Sequence, residues 1–157
     1  MKSIPTIFAA VCALLTALMP VAVAQDDWRL YRDERFGMQI SYPSSLLDTV
    51  EAHSEGVTIL GLDARLDMSA RAVPGLTNAS QIRALIEETE GYSNIAYSPG
   101  GNRWLVASGY RGNDIFYEKF FISGDYVLGF SLQYPALLRD LYDPAVERME
   151  DSFRIDR

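Results

Sequence analysis

From residue 36 onward hydrophobic and polar positions alternate, with Phe36, Met38, Ile40 and Tyr42 on one side and Arg35, Gly37, Gln39 and Ser41 on the other. A period of two predicts a half-buried strand, and Pro43, which has no N–H for a ladder, ends it. A second strand is predicted over Val57–Leu62. In a third, Leu66, Met68, Ala70 and Ala72 oppose Asp67, Ser69 and Arg71, and a hairpin turn near Asp63-Ala64 joins the two. The period then lengthens. Ile82, Leu85, Ile86 and Thr89 recur at helical spacing, with Asn78 or Ser80 as N-cap and Gly91 just past the end. Three more strands are predicted over Trp104–Tyr110, Asp114–Ile122 and Tyr126–Tyr134, which makes a meander. Its turns, at residues 100–102, 111–113 and 123–125, are rich in Gly and Asn, residues that tolerate positive φ.

In the middle of these three runs Phe116, Tyr117, Phe120 and Phe121 leave neither face polar, so the strand is expected to be central and covered on both sides. The last run places Tyr126, Leu128, Phe130, Leu132 and Tyr134 on one face and Val127, Gly129, Ser131 and Gln133 on the other; the small face is expected to receive a helix. From Ala136 the chain reads as helical through Leu137, Leu138 and Leu141. A restart is expected at Asp143-Pro144, leading through Val146 and Met149 to Phe153.

The N-terminus changes the picture. Residues 1–24 read as a secretory signal peptide: Lys2, an apolar run from Ile4 to Val23, and an Ala22-Val23-Ala24 cleavage signature. An uncleaved anchor is the alternative, since the run approaches spanning length, but Pro20 and the Ala-x-Ala site favour cleavage. Residues 25–157 then form one domain, and no other stretch is apolar enough to span a bilayer. The only cysteine, Cys12, leaves with the signal, so neither a disulfide nor a thiol nucleophile is expected. A cysteine-free exported chain suits the bacterial periplasm. It carries 13 basic against 21 acidic side chains, a net of −8, which argues against nucleic acid as a partner.

Little in the remaining pattern specifies chemistry. His53 is the only histidine; its neighbours read as an exposed turn before a strand, and no Gly-x-Ser-x-Gly elbow accompanies it. One histidine and no mature cysteine cannot fill a tetrahedral zinc shell. Asp63 with Asp67, and Asp140 with Asp143, lack the alternating oxygen ligands and central glycine of an EF-hand, and the Glu87-Glu88-Glu90 cluster reads as a solvated surface. Neither metal nor cofactor is expected. A glycosidase would need two carboxylates facing one another across a cleft, a placement that spacing alone leaves open. The aromatic content is more informative: 17 of the 133 mature residues are Tyr, Trp or Phe. Such side chains serve recognition surfaces and strands alike, so Tyr92, Tyr97, Tyr110 and Tyr126 are open between core packing and an exposed patch. Arg103 and Arg111 stand near them, and the expected binding residues are Tyr110, Arg111, Tyr126, Trp104 and Arg103.

A family resemblance spans most of the mature chain. Trp28 and Tyr31, the run from Arg35 to Pro43, Ser108-Gly109-Tyr110 before Ile115-Phe116-Tyr117-Glu118, and the closing Asp151-Ser152-Phe153-Arg154 resemble small exported bacterial domains of the PsbP-like class. PsbP itself is an extrinsic subunit of photosystem II. The resemblance implies an α+β fold, an antiparallel β-sheet flanked by helices as an α/β/α sandwich. It also implies a role in binding or assembly instead of catalysis. No residue here matches a manganese or other cofactor function. The expectation is therefore a non-catalytic periplasmic binding or accessory domain that meets a protein or envelope component. The alternatives are a small hydrolase with a carboxylate-lined cleft and a carrier of a small apolar ligand.

Overall fold

The computed structural model describes residues 27–156, with backbone alone at 98–100, so the expected signal peptide lies outside the described residues. The chain is a mixed α+β structure. Its strands are β1 (Trp28–Asp33), β2 (Met38–Pro43), β3 (Thr49–His53), β4 (Gly56–Leu60), β5 (Arg65–Ala72), β6 (Tyr92–Gly101), β7 (Trp104–Arg111), β8 (Asp114–Ser123), β9 (Tyr126–Pro135) and β10 (Arg154–Ile155). Two helices interrupt them, α1 (Ala79–Glu87) and α2 (Arg139–Ser152). A seven-stranded antiparallel sheet runs in the order β3-β4-β5-β9-β8-β7-β6, and a three-stranded one in the order β1-β2-β10.

The small sheet and α2 cover one face of the large sheet, α1 the other. On the first face Met38, Ile40, Met149 and Phe153 bury Leu66, Met68, Phe130 and Leu132. Cross-layer contacts fix the register of these layers: Ser152 Oγ accepts from Ser41 N at 2.9 Å, and the Arg148 guanidinium lies 4.2 Å from the Trp28 ring centre. Asp33, itself buried, binds Arg35 at 2.6 Å, and Arg35 donates onward to the carbonyls of His53 and Gly56, tying the small sheet to the β3–β4 hairpin. That guanidinium holds the Asp33 carboxyl below its ordinary range. On the second face Ala79, Ile82 and Ile86 of α1 pack on Leu105, Ala107, Phe116 and Ile122.

Asn78 is the N-cap of α1, its side chain accepting from the backbone of Ser80 and Gln81 while Gln81 reaches back, a full capping box. The runs predicted as strands form β2, β4, β5, β7, β8 and β9, and β8 lies inside the sheet with Phe116 toward α1 and Tyr117 bonded to Glu150 of α2. Four strands, β1, β3, β6 and β10, go unpredicted. Every residue of β3 is exposed, so no buried face imposes a period; His53, expected in a turn, is its last residue. In β6 two register shifts and the left-handed Asn94 (φ 49°) break the alternation.

Three further expectations are corrected. Leu85 is 53% exposed and Thr89 lies beyond the helix, so the apolar stripe of α1 is narrower than its spacing predicts. Asp143-Pro144 does not restart a helix. A 3₁₀ turn at Ala136–Leu138 leads directly into α2, Pro144 sits inside it, and Asp143 accepts from the Tyr134 hydroxyl at 2.7 Å. The small face of β9 receives no helix packed flat on it; α2 takes the large face, and α1 stands to one side over β6 and β7, with only Val127 of the small face reaching its cluster.

Candidate functional site

Because α1 is only nine residues long and seats on Leu105, Ala107 and Phe116, it covers half of its face of the large sheet. The other half, from β3 to β9, is polar. Across one register row the second face reads Ala107, Glu118, Ser131, Asp67, Thr58 and Glu51. Ion pairs order this half: Arg65 binds Asp67 at 2.6 Å, Asp67 accepts from Thr58 at 2.6 Å, and Arg71 stands 3.7 Å from Glu55. At the boundary between the covered and open halves lies a cleft of about 580 Å³, walled by Ile82, Leu85 and Ile86 of α1 and floored by Phe120, Val127 and Ser131.

Glu118 is the buried charge at this boundary. It falls between Phe116 and Phe120 on the same face of β8, opposite the small residues Ala107 and Ser131, and is 6% exposed. Burial pushes its carboxyl above the ordinary value, against hydrogen bonds from Ser131 at 3.1 Å and Tyr92 at 3.3 Å and the charge of Arg111. Both donors go to Oε1, and Oε2 accepts nothing from the described residues.

The glycines of the neighbouring strands shape this floor. Gly109 and Gly129 lie directly across from Phe116 and Phe120. A Cβ on Gly109 would stand 2.8 Å from the Ser93 carbonyl, and one on Gly129 2.2 Å from that of Lys119. Phe116 lies against Gly109 and meets Tyr92 edge to face at 4.6 Å. Tyr92 is thus fixed with its hydroxyl on Glu118, and the Arg111 guanidinium lies 5.3 Å from its ring centre.

The five residues singled out in the sequence do not form one patch. Tyr110 and Arg111 are adjacent on β7 and so point to opposite faces: Tyr110 packs against the core beneath α2, where Arg139 reaches its hydroxyl, while Arg111 lines the cleft. Trp104 and Arg103 belong to the other end of β7, about 20 Å away by strand rise. Trp104 stacks on Phe121 at 6.3 Å, and Arg103 Nε donates to the Ile122 carbonyl at 3.1 Å. Tyr126 sits at that same end, opposite Ser123, and is 45% exposed. Of the five, only Arg111 lines the cleft. His53 does too, from the rim. Tyr92 and Tyr97 pack on the α1 side. Glu118 is legible in the sequence only as part of a structural motif; the signal that would have found it is a carboxylate in the middle of a strand, between Phe116 and Phe120 on one face.

Among the described residues no His, Cys, Asp and Glu are grouped as a metal would require, and no helix is long and apolar enough to cross a membrane. No family model and no curated protein matches the chain. Solved structures do. The solution structure of cyanobacterial PsbP (CyanoP) from Synechocystis sp. PCC 6803 is similar in fold, with a TM-score of 0.54 and 14% identity, over 90% of this chain and 99% of that one. At that identity the likeness establishes a PsbP-like α+β fold.

Proposed function

We propose that this protein is a non-catalytic, exported binding or accessory domain, formed by residues 25–157, that meets a protein or envelope component on the open half of its large sheet. The observation that carries this reading is a half-face of the large sheet that no helix of the described residues covers, its middle ordered by Arg65 hydrogen-bonded to Asp67 and Asp67 to Thr58. Side chains already fixed in place lose little freedom when a partner arrives. The PsbP-like fold is consistent with such a role. Of the expected binding residues, Arg111 lines the cleft at the edge of this half-face, while Tyr110 packs beneath α2.

The hydrolase alternative gains one carboxyl of raised pKa, Glu118, but Asp67, two strands away and about 10 Å distant, is committed to Arg65 and Thr58. The carrier alternative gains more, since the cleft lies between the large sheet and α1. A photocrosslinking residue placed at Ser69 on the open half, and another at Leu30 on β1, tests the partner reading in an envelope extract. A protein or envelope adduct at Ser69 and none at Leu30 is expected. Equal labelling at both positions, or none at Ser69, overturns it.

A further inference from the structure

We propose that the cleft beside α1 takes a small zwitterion of the amino-acid type, its ammonium group on Glu118 Oε2 and its carboxylate on Arg111. This rests on reading that face of the sheet as a recognition surface. Arg65 and Arg71 are each within ion-pair reach of a carboxylate, so the charges in the cleft with no ion-pair partner among the described residues are Glu118 and Arg111. They have opposite sign. They form no ion pair with one another, and both meet Tyr92: its hydroxyl donates to Glu118 Oε1, and the Arg111 guanidinium lies 5.3 Å from its ring centre.

A buried carboxylate and an exposed guanidinium lining one cleft suit a small molecule that carries both a cation and an anion, with a charge-assisted hydrogen bond of about 2.8 Å at each end. The depths differ as well. Glu118 is almost wholly buried with Oε2 free, whereas Arg111 is exposed at the mouth, so the ammonium enters first. An ammonium on Oε2 offsets the burial that now disfavours the carboxylate. Between the two charges the walls are apolar: Ile82, Ile86, Phe120 and Val127, with the half-exposed Leu85 at the lip. They suit an aliphatic side chain and leave no charged partner for an acidic or basic one, since Asp67 and Arg65 are bound to each other.

Calorimetric titration of the whole protein with three probes decides the matter: L-leucine, L-leucine amide, which lacks the carboxylate, and 4-methylpentanoate, which lacks the ammonium. L-Leucine is expected to bind at least about tenfold more tightly than either half-probe, the loss of one charged hydrogen-bonding partner at each step. Glu118→Gln should weaken L-leucine about tenfold and leave 4-methylpentanoate unchanged. Arg111→Gln should weaken L-leucine and leave the amide unchanged. Melting curves in which neither variant unfolds more than a few degrees below the parent show that both fold. No heat with L-leucine, 4-methylpentanoate binding as tightly as L-leucine, or L-leucine binding indifferent to Glu118→Gln each overturns the proposal. Crosslinking at Ser69 that persists when L-leucine fails to bind separates this failure from that of the partner reading.

Discussion

The two faces of the large sheet are built from the same strands and end in opposite conditions. On one, Leu66, Met68, Phe130 and Leu132 lie beneath α2 and the small sheet, closed to water along the middle of the sheet. On the other, a nine-residue helix sits over β6 and β7, its apolar face reaching Phe116 of β8, and stops there, leaving Asp67, Ser131 and their neighbours uncovered. Coverage follows from side-chain choice strand by strand: β9 offers Leu128, Phe130 and Leu132 to one side and Gly129 and Ser131 to the other. A closed face is a stability device. An open one with ordered charges is free to recognise something.

That contrast predicts a graded series of effects. Phe130→Ala empties a site in the closed core and is expected to cost about 3–5 kcal/mol, whereas Phe120→Ala, at the half-buried floor of the cleft, should cost less than half of that. Denaturant titration of both checks this, and equal losses would mean that the faces are energetically alike. Arg35→Ala removes the clamp between the small sheet and the β3–β4 hairpin. Half of that side chain is in water, so the loss, read by denaturant titration, is expected to be smaller than that of Phe130→Ala. Because Arg35 lowers the Asp33 carboxyl, this contribution is present above pH 3.8 and fades as pH falls through the lowered value, so the variant and the parent should converge in acid.

Smaller effects belong to the open face. Asn78→Ala takes away the capping box of α1 and should cost about 1 kcal/mol, with Asn78→Ser restoring most of it. Glu118→Gln is expected to reverse the sign. A carboxyl raised by burial favours folding only while protonated, so its contribution is complete below pH 4.5 and is lost as pH rises through the raised value. The glutamine variant should therefore melt above the parent at pH 7 and alongside it below pH 4.5. A parent that is more stable at pH 7 would mean that Glu118 is charged and well solvated in the fold.

Pattern legibility tracked burial. Strands with one buried face, such as β2 and β5, were read from their alternation, while β3, exposed throughout, and β6, broken by two register shifts, were not. The helix cap at Asn78 was readable because capping is local. Leu85 was misplaced because spacing defines a stripe, and only the neighbouring strands define its width. Among the site residues Arg111 was read as a binding residue, but its company was not: Tyr92 comes from β6, Glu118 from β8 and Ser131 from β9.

The sequence by itself determined the α+β class, the meander, both faces of β9 and an acidic balance, because period and composition act over a few neighbouring residues. Tertiary structure decided that α1 is too short to close its face, that Tyr110 and Arg111 part company across the sheet, and that Glu118 is buried between two phenylalanines and two small residues. Those outcomes depend on strand order and register. Pairings such as Glu118 with Ser131, and α1 over β7, join distant parts of the chain, and no local pattern fixes which distant residue ends up beside a charge.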